Sequence, residues 1–400
     1  MQTLDKQNRS YKAYWAMFIA ILLVGANLRA PITSAGALIT MIREDLMMTH
    51  SLAGMVTTLP LLAFALLSPF APKISRRIGM EWTIFFALLA ILIGVVIRSL
   101  FGVTTLFVGT LFIGLGIAIG NVLSPVIIQL HFPFRVGIVM GFYAIAMNIF
   151  GALGSGVSIP LANNFSFGWK GALSSWVIIA ILAIIFWFPQ LQRTRESLPT
   201  DEKAEKRSFK LWRSKLAWFI TIFMGLQSLM YYTFITWLPD ILTAKGFAIQ
   251  TAGWMLFLMQ LALIPVTFIV PIIAEKMTDQ KLLSAITASF FIVSIFGIMS
   301  GNSILVPIAA MMFGMASGSS FSLCMMFFNL RTINGEQAAE MSGMAQSIGY
   351  LLAAVGPTLF GALHDLYGEW DIPLVGLIVV SAVILVVATS AGRDVKVNAT

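Results

Sequence analysis

Residues 190–215, QLQRTRESLPTDEKAEKRSFKLWRSK, decide how this chain is organised. The stretch mixes charges of both signs, contains Pro199 and has no apolar face, so it reads as a solvated linker. No other polar stretch of that length interrupts the 400 residues. On either side lie long apolar runs. Before it they fall near 14–41, 51–71, 82–100, 104–128, 136–161 and 171–189. After it they fall near 216–239, 250–273, 281–299, 303–328, 341–363 and 373–391. A helix that crosses a bilayer needs about 20 mostly apolar residues, and each run is of that order.

Composition agrees. Hydrophobic residues make up 58% and charged residues 10%, where soluble proteins carry roughly 25% charged residues. A water-soluble fold could not hide that much apolar surface, so lipid is the expected solvent for most of the chain. The expectation is an all-α membrane protein of twelve transmembrane helices, arranged as two pseudo-symmetric six-helix bundles. Their expected boundaries are residues 1–190 and 215–400, with a cytoplasmic linker at 191–214.

Basic residues orient the spans. With the N-terminus cytoplasmic, twenty of the 25 Lys and Arg fall on the inner side. Four fall outside (Arg43, Arg98, Lys170, Lys245), and Arg29 lies within the first run. That asymmetry predicts a multi-pass protein of the inner membrane with both termini cytoplasmic. It also turns the net charge of +8 into a topology signal, with no nucleic-acid partner implied. The first run follows a basic tail (Lys6, Arg9, Lys12) and outlasts a signal-peptide core, so it is expected to be a retained helix.

The halves echo each other at an offset near 200: Ala53-Gly54 with Ala252-Gly253, Pro72 with Pro271, Gly114 with Gly314, Trp169 with Trp370. Duplicated bundles of this kind enclose a site at mid-membrane and rock about it.

Arg29 is the residue on which the function turns. It lies mid-span in Gly25-Ala26-Asn27-Leu28-Arg29-Ala30-Pro31, where a charge costs about 2.5–3.5 kcal/mol even on insertion scales. All seventeen carboxylates fall in tails, loops or helix ends, so no internal counter-ion is visible. An anionic or electron-rich substrate would supply one. The alternative is a structural Arg bonded to carbonyls freed by Pro31. In the seventh run Gln227 and Tyr231 are four apart and share a helical face that could oppose Arg29. Asn121 and Gln346 are further candidate lining residues, each equally able to serve as an interhelical hydrogen bond. Arg76 and Arg77, in the turn expected at 72–79, are candidates for gating as well as topology.

Other chemistries find no support. The single cysteine, Cys324, excludes a disulfide, and the three histidines are far apart in sequence, so no metal site is expected. Neither an ATP-binding motif nor a nucleophile–base pair is present, so no cofactor and no enzyme are expected. The glycine runs at 114–120 and 151–156 lack the strand context of a nucleotide fingerprint and read as helix packing. A channel would repeat a ring of like residues, and here one Arg is unmatched.

Three stretches carry a family resemblance. Asn27 to Ser34 (NLRAPITS), Gly225 to Pro239 (GLQSLMYYTFITWLP) and Ser342 to Tyr350 (SGMAQSIGY) resemble the first, seventh and eleventh helices of the cyanate-permease family of the major facilitator superfamily. The segment Pro72 to Gly79 is similar to the superfamily's loop motif but lacks its leading Gly and central Asp. The resemblance spans essentially the whole chain. It implies a secondary transporter, acting as a monomer by alternating access, for small anions such as cyanate. Some members are associated with export of nitroimidazole-type compounds, which is the alternative.

Overall fold

The computed structural model describes residues 2–164, 168–192, 208–333 and 335–397. Residues 193–207 of the expected linker, and the side chains of the basic tail, lie outside the described residues. Among the described residues twelve helices are long and apolar enough to cross a membrane. We label them α1 (Tyr14–Ala37), α2 (His50–Ile78), α3 (Met80–Arg98), α4 (Gly102–His131), α5 (Val136–Asn164) and α6 (Gly168–Leu191). The second six are α7 (Lys215–Ala244), α8 (Ile249–Lys276), α9 (Lys281–Met299), α10 (Leu305–Leu330), α11 (Gln337–Tyr367) and α12 (Asp371–Ala391). Helices suit lipid because each satisfies its backbone hydrogen bonds internally.

One local expectation is corrected. The basic stretch after Pro72, expected as a turn, is helical over Ala71–Ile78, after a 3-10 turn at Ser68–Phe70. Pro69 and Pro72 each sit in a first turn, where a missing N–H costs little. The helix stops at Gly79, whose φ of +92° suits glycine. Arg76 and Arg77 end this segment, exposed.

Packing follows a repeated scheme. In the first six helices α1 packs on α5 and α6, α4 on α2 and α3, and α3 on α6. In the second six α7 packs on α11 and α12, α10 on α8 and α9, and α9 on α12. Two pseudo-equivalent seams join the sets, α2 against α11 and α5 against α8, and α1 meets α7 at the centre. The apolar window of α7 is 89% buried, the highest of the twelve, so α7 is the axis of the second set.

With an even number of spans both termini lie at one end; the other we call the distal end. There the seams are tight. A Cβ on Gly54 would stand 2.5 Å from the Pro357 carbonyl oxygen, and one on Gly36 would stand 2.4 Å from that of Ile235. Only glycine permits backbones that close. Thr58 Oγ1 donates to the Ala354 carbonyl at 2.7 Å and lies 2.9 Å from Thr358 Oγ1. Thr236 Oγ1 bonds Thr57 Oγ1 at 2.7 Å. The distal end is closed.

Candidate functional site

Midway through the bundle, α1, α5, α7, α8, α10 and α11 surround a cavity of about 540 Å³, open solvent included. Its polar lining is Arg29, Asn148, Gln227, Ser228, Tyr231, Tyr232, Thr267, Ser317 and Tyr350. Ala144, Met147, Leu263, Gly318 and Phe321 complete it, with no carboxylate among the lining residues.

Arg29 reaches this cavity because α5 makes room for its stem. A Cβ on Gly151 would lie 2.6 Å from Arg29 Cγ. The guanidinium carbon sits 4.6 Å from the centre of the Tyr231 ring, a cation–π contact. Tyr231 is fixed in turn: its hydroxyl donates to Gln260 Oε1 at 3.0 Å, and its ring packs edge-on to Tyr232 at 5.1 Å. Tyr350 packs edge-on to Phe64 across the α2–α11 seam at 5.4 Å. No ion pair to Arg29 occurs among the described residues.

Several polar atoms at the site have unspent hydrogen-bonding capacity. Arg29 Nε, Asn148 Oδ1, Ser317 Oγ and, behind Tyr231, Gln260 Nε2 are buried without a protein partner. A polar atom left so costs about 1–3 kcal/mol unless something in the cavity meets it. Such a constellation can hold a planar molecule between aromatic faces while the guanidinium engages an oxygen.

Of the residues singled out from sequence, Arg29, Gln227 and Tyr231 come together here. Gln227 turns partly onto its neighbours, its Nε2 donating to Ser228 Oγ at 2.8 Å and to the Met224 carbonyl at 3.2 Å. Asn121 and Gln346 are not among the lining residues. Gln346 Nε2 donates to Ser342 Oγ one turn away at 2.8 Å. A second arginine is buried beside that proline. Arg98, read as an outer-loop charge, is buried at the end of α3 and donates through Nη1 to the Pro31 carbonyl at 2.7 Å. Sequence reasoning missed Thr267, Ser317 and Phe321. Nothing in the pattern of α8 or α10 separates these from packing residues.

At the distal end two histidines meet that stand 314 residues apart. The rings of His50 and His364 are 3.9 Å apart, beside Asp365 and Asp240. Distance in sequence was no argument against such a cluster.

Comparison with known proteins agrees with this architecture. Residues 15–357 match the family model of the Major Facilitator Superfamily. The uncharacterized transporter YycB of Bacillus subtilis (strain 168) is 44% identical, over 97% of this chain and 96% of its own. The 2-nitroimidazole transporter of Escherichia coli (strain K12) is 41% identical over 96% of each chain. The cyanate transport protein CynX of Escherichia coli (strain K12) is 25% identical, over 88% of this chain and 91% of its own. Among solved structures, a bacterial homologue of the human lysosomal transporter Spinster, inward-facing and unoccupied, superposes with a TM-score of 0.78. It is 12% identical, with 95% of this chain and 97% of that one covered, a likeness of fold alone. The chain therefore belongs to the Major Facilitator Superfamily, as a secondary transporter of its cyanate-permease family.

Proposed function

We propose that this transporter carries small planar solutes bearing an electron-rich oxygen group, a nitro group or a carboxylate, on an aromatic ring. The observation that carries the reading is the Arg29 guanidinium, 4.6 Å over Tyr231 in a cavity that supplies it no carboxylate. The oxygens engage Arg29, and the ring lies among Tyr231, Tyr232, Tyr350 and Phe321. The relative named for 2-nitroimidazole, at 41% identity, supports this choice over a cyanate-like anion.

A second reading, a small inorganic anion, is supported by the same unpaired charge and by the cyanate relative. It leaves the aromatic walls of the cavity without a role. In either case bundles 1–190 and 215–400 rock about the cavity, and the solute exchanges at the end that carries the termini. The basic-residue asymmetry supports a cytoplasmic location for that end.

The test is thermal stabilisation of the purified protein by 2-nitroimidazole, benzoate and cyanate, beside Arg29→Ala. Binding to the folded state raises the melting temperature as RT ln(1+[L]/Kd). A shift with either aromatic compound that vanishes in Arg29→Ala supports the reading. A shift with cyanate alone moves it to the inorganic anion, and shifts that survive Arg29→Ala remove Arg29 from the site.

A further inference from the structure

Across the α2–α11 seam the two sets of helices bring together three side chains of the kinds that ligate metals. His50 opens α2 of the first set, and His364 and Asp365 lie in the last turn of α11 in the second. One ring nitrogen from each histidine and one carboxylate oxygen of Asp365 all lie within 4.8 Å of one another. Among the described residues no other three histidine, cysteine, aspartate or glutamate side chains come together in this way. Donor atoms set tetrahedrally at about 2.1 Å from one ion stand about 3.4 Å apart, so modest side-chain rotations complete the set.

These donors have capacity to spare. His364 Nδ1 is buried without a protein partner, and its ring is packed 3.9 Å from that of His50 and 4.4 Å from that of Trp370. His50 Nδ1 lies 2.8 Å from Asp365 Oδ1, so an ion that takes the place of the hydrogen between them meets both atoms. A carboxylate has about four lone-pair sites. The backbone N–H groups of His50 and Ser51 occupy two of those on Asp365, which can therefore ligate without releasing either. The surrounding charge also favours a cation. Asp240 is buried 3.1 Å from His50 Nε2, with Arg43 and Thr40 facing its carboxylate. Arg43 is shared with Glu44 at 3.6 Å, and Lys245 is already paired with Asp371 at 2.9 Å. Asp240 and Asp365 thus face the rings with one arginine to answer them.

We infer that His50, His364 and Asp365 form a site for a divalent cation of the zinc class, which bridges the two halves at the distal end. Two imidazoles and one carboxylate suit zinc and its neighbours nickel and cobalt, whereas magnesium and calcium prefer oxygen ligands alone. Asp365 is exposed, so the ion enters from the distal solvent and water takes the fourth position. Because the ligands come from opposite sets, the complete site exists only while the seam is closed. An ion bound there favours the closed distal end to the extent that it binds that state more tightly. The inference is independent of the solute proposed above and of which face of the membrane the distal end meets.

The test uses the full chain, purified without a polyhistidine tag and without solute. Zinc chloride should raise the melting temperature by an amount that grows with the logarithm of its concentration, and magnesium chloride should not. His50→Ala, in the first half, and His364→Ala, in the second, should each abolish the rise. His131→Ala, at the opposite end of the bundle, should keep it. No rise in the parent protein, a rise that magnesium reproduces, one that survives either distal substitution, or one that is lost in His131→Ala overturns the inference. Should an alanine variant not purify as a folded protein, His50→Gln or His364→Gln replaces it with the same two outcomes: the rise disappears or the inference fails.

Discussion

The two charged regions of this molecule are built on opposite rules. At the distal end Arg43 and His50 face Asp240 and Asp365 across the seam. In the central cavity Arg29 has aromatic rings and hydroxyls around it and no carboxylate. Charges that face each other across a moving boundary hold a conformation. A charge kept without a counter-ion in low dielectric is a cost to the fold, which on the proposed function the solute offsets.

The largest effect expected from breaking this contrast is at Arg29. Arg29→Ala should lower transport by roughly 10- to 100-fold, the worth of a charge-assisted hydrogen bond or two. Its melting temperature should be unchanged or higher, since an unpaired buried charge has been removed. Arg29→Lys should recover little, because an ammonium offers neither the planar fork nor the same stacking on Tyr231. A large drop in melting temperature for Arg29→Ala would instead make Arg29 a structural residue like Arg98.

Next comes Gly151. A methyl there falls 2.6 Å from Arg29 Cγ, so Gly151→Ala must displace the arginine stem without touching its charge. Overpacking of that kind costs about 1–3 kcal/mol. It should appear in transport kinetics as a loss of roughly tenfold, with expression retained. Normal kinetics would show that the placement of Arg29 is not critical.

The distance between what sequence could say and what folding arranged is clearest at this point. Span number, the repeat, the singular position of Arg29 and the Gln227–Tyr231 face are legible because hydropathy and helical periodicity are local properties. Gln346 shows the limit. Spacing of four tells which residues share a face, and it does not tell which face meets the cavity. Arg98 shows another, since a charge at a helix end can fold back under a neighbouring helix as easily as reach water. The meeting of His50 with Asp365 depends on the α2–α11 seam, which no local pattern encodes.

Smaller effects sharpen the comparison. Tyr231→Phe keeps the ring beneath the guanidinium and loses the hydroxyl that bonds Gln260. It should change apparent affinity by roughly two- to tenfold, as one neutral hydrogen bond allows. Tyr231→Leu, which removes the ring as well, should cost more, and equal effects would deny the ring a role. The smallest change is expected at Lys245, whose pair with Asp371 is partly solvent-exposed. Lys245→Ala should shift stability by about 0–1 kcal/mol, measurable in a denaturant titration. A greater loss would extend the distal closure to that pair.

The Asp365 carboxylate has a second consequence. Its Oδ1 accepts the backbone N–H of His50 at 2.9 Å, and its Oδ2 accepts that of Ser51 at 2.7 Å. Thr49 Oγ1 accepts only the third, from Leu52, at 3.2 Å. The first turn of α2 is thus capped from another helix in the opposite half, with the carboxylate at the positive end of the helix dipole. When the halves part, α2 loses two of its three caps and must find water for them, at about 1 kcal/mol per lost cap. These two bonds therefore favour the closed distal end by that amount.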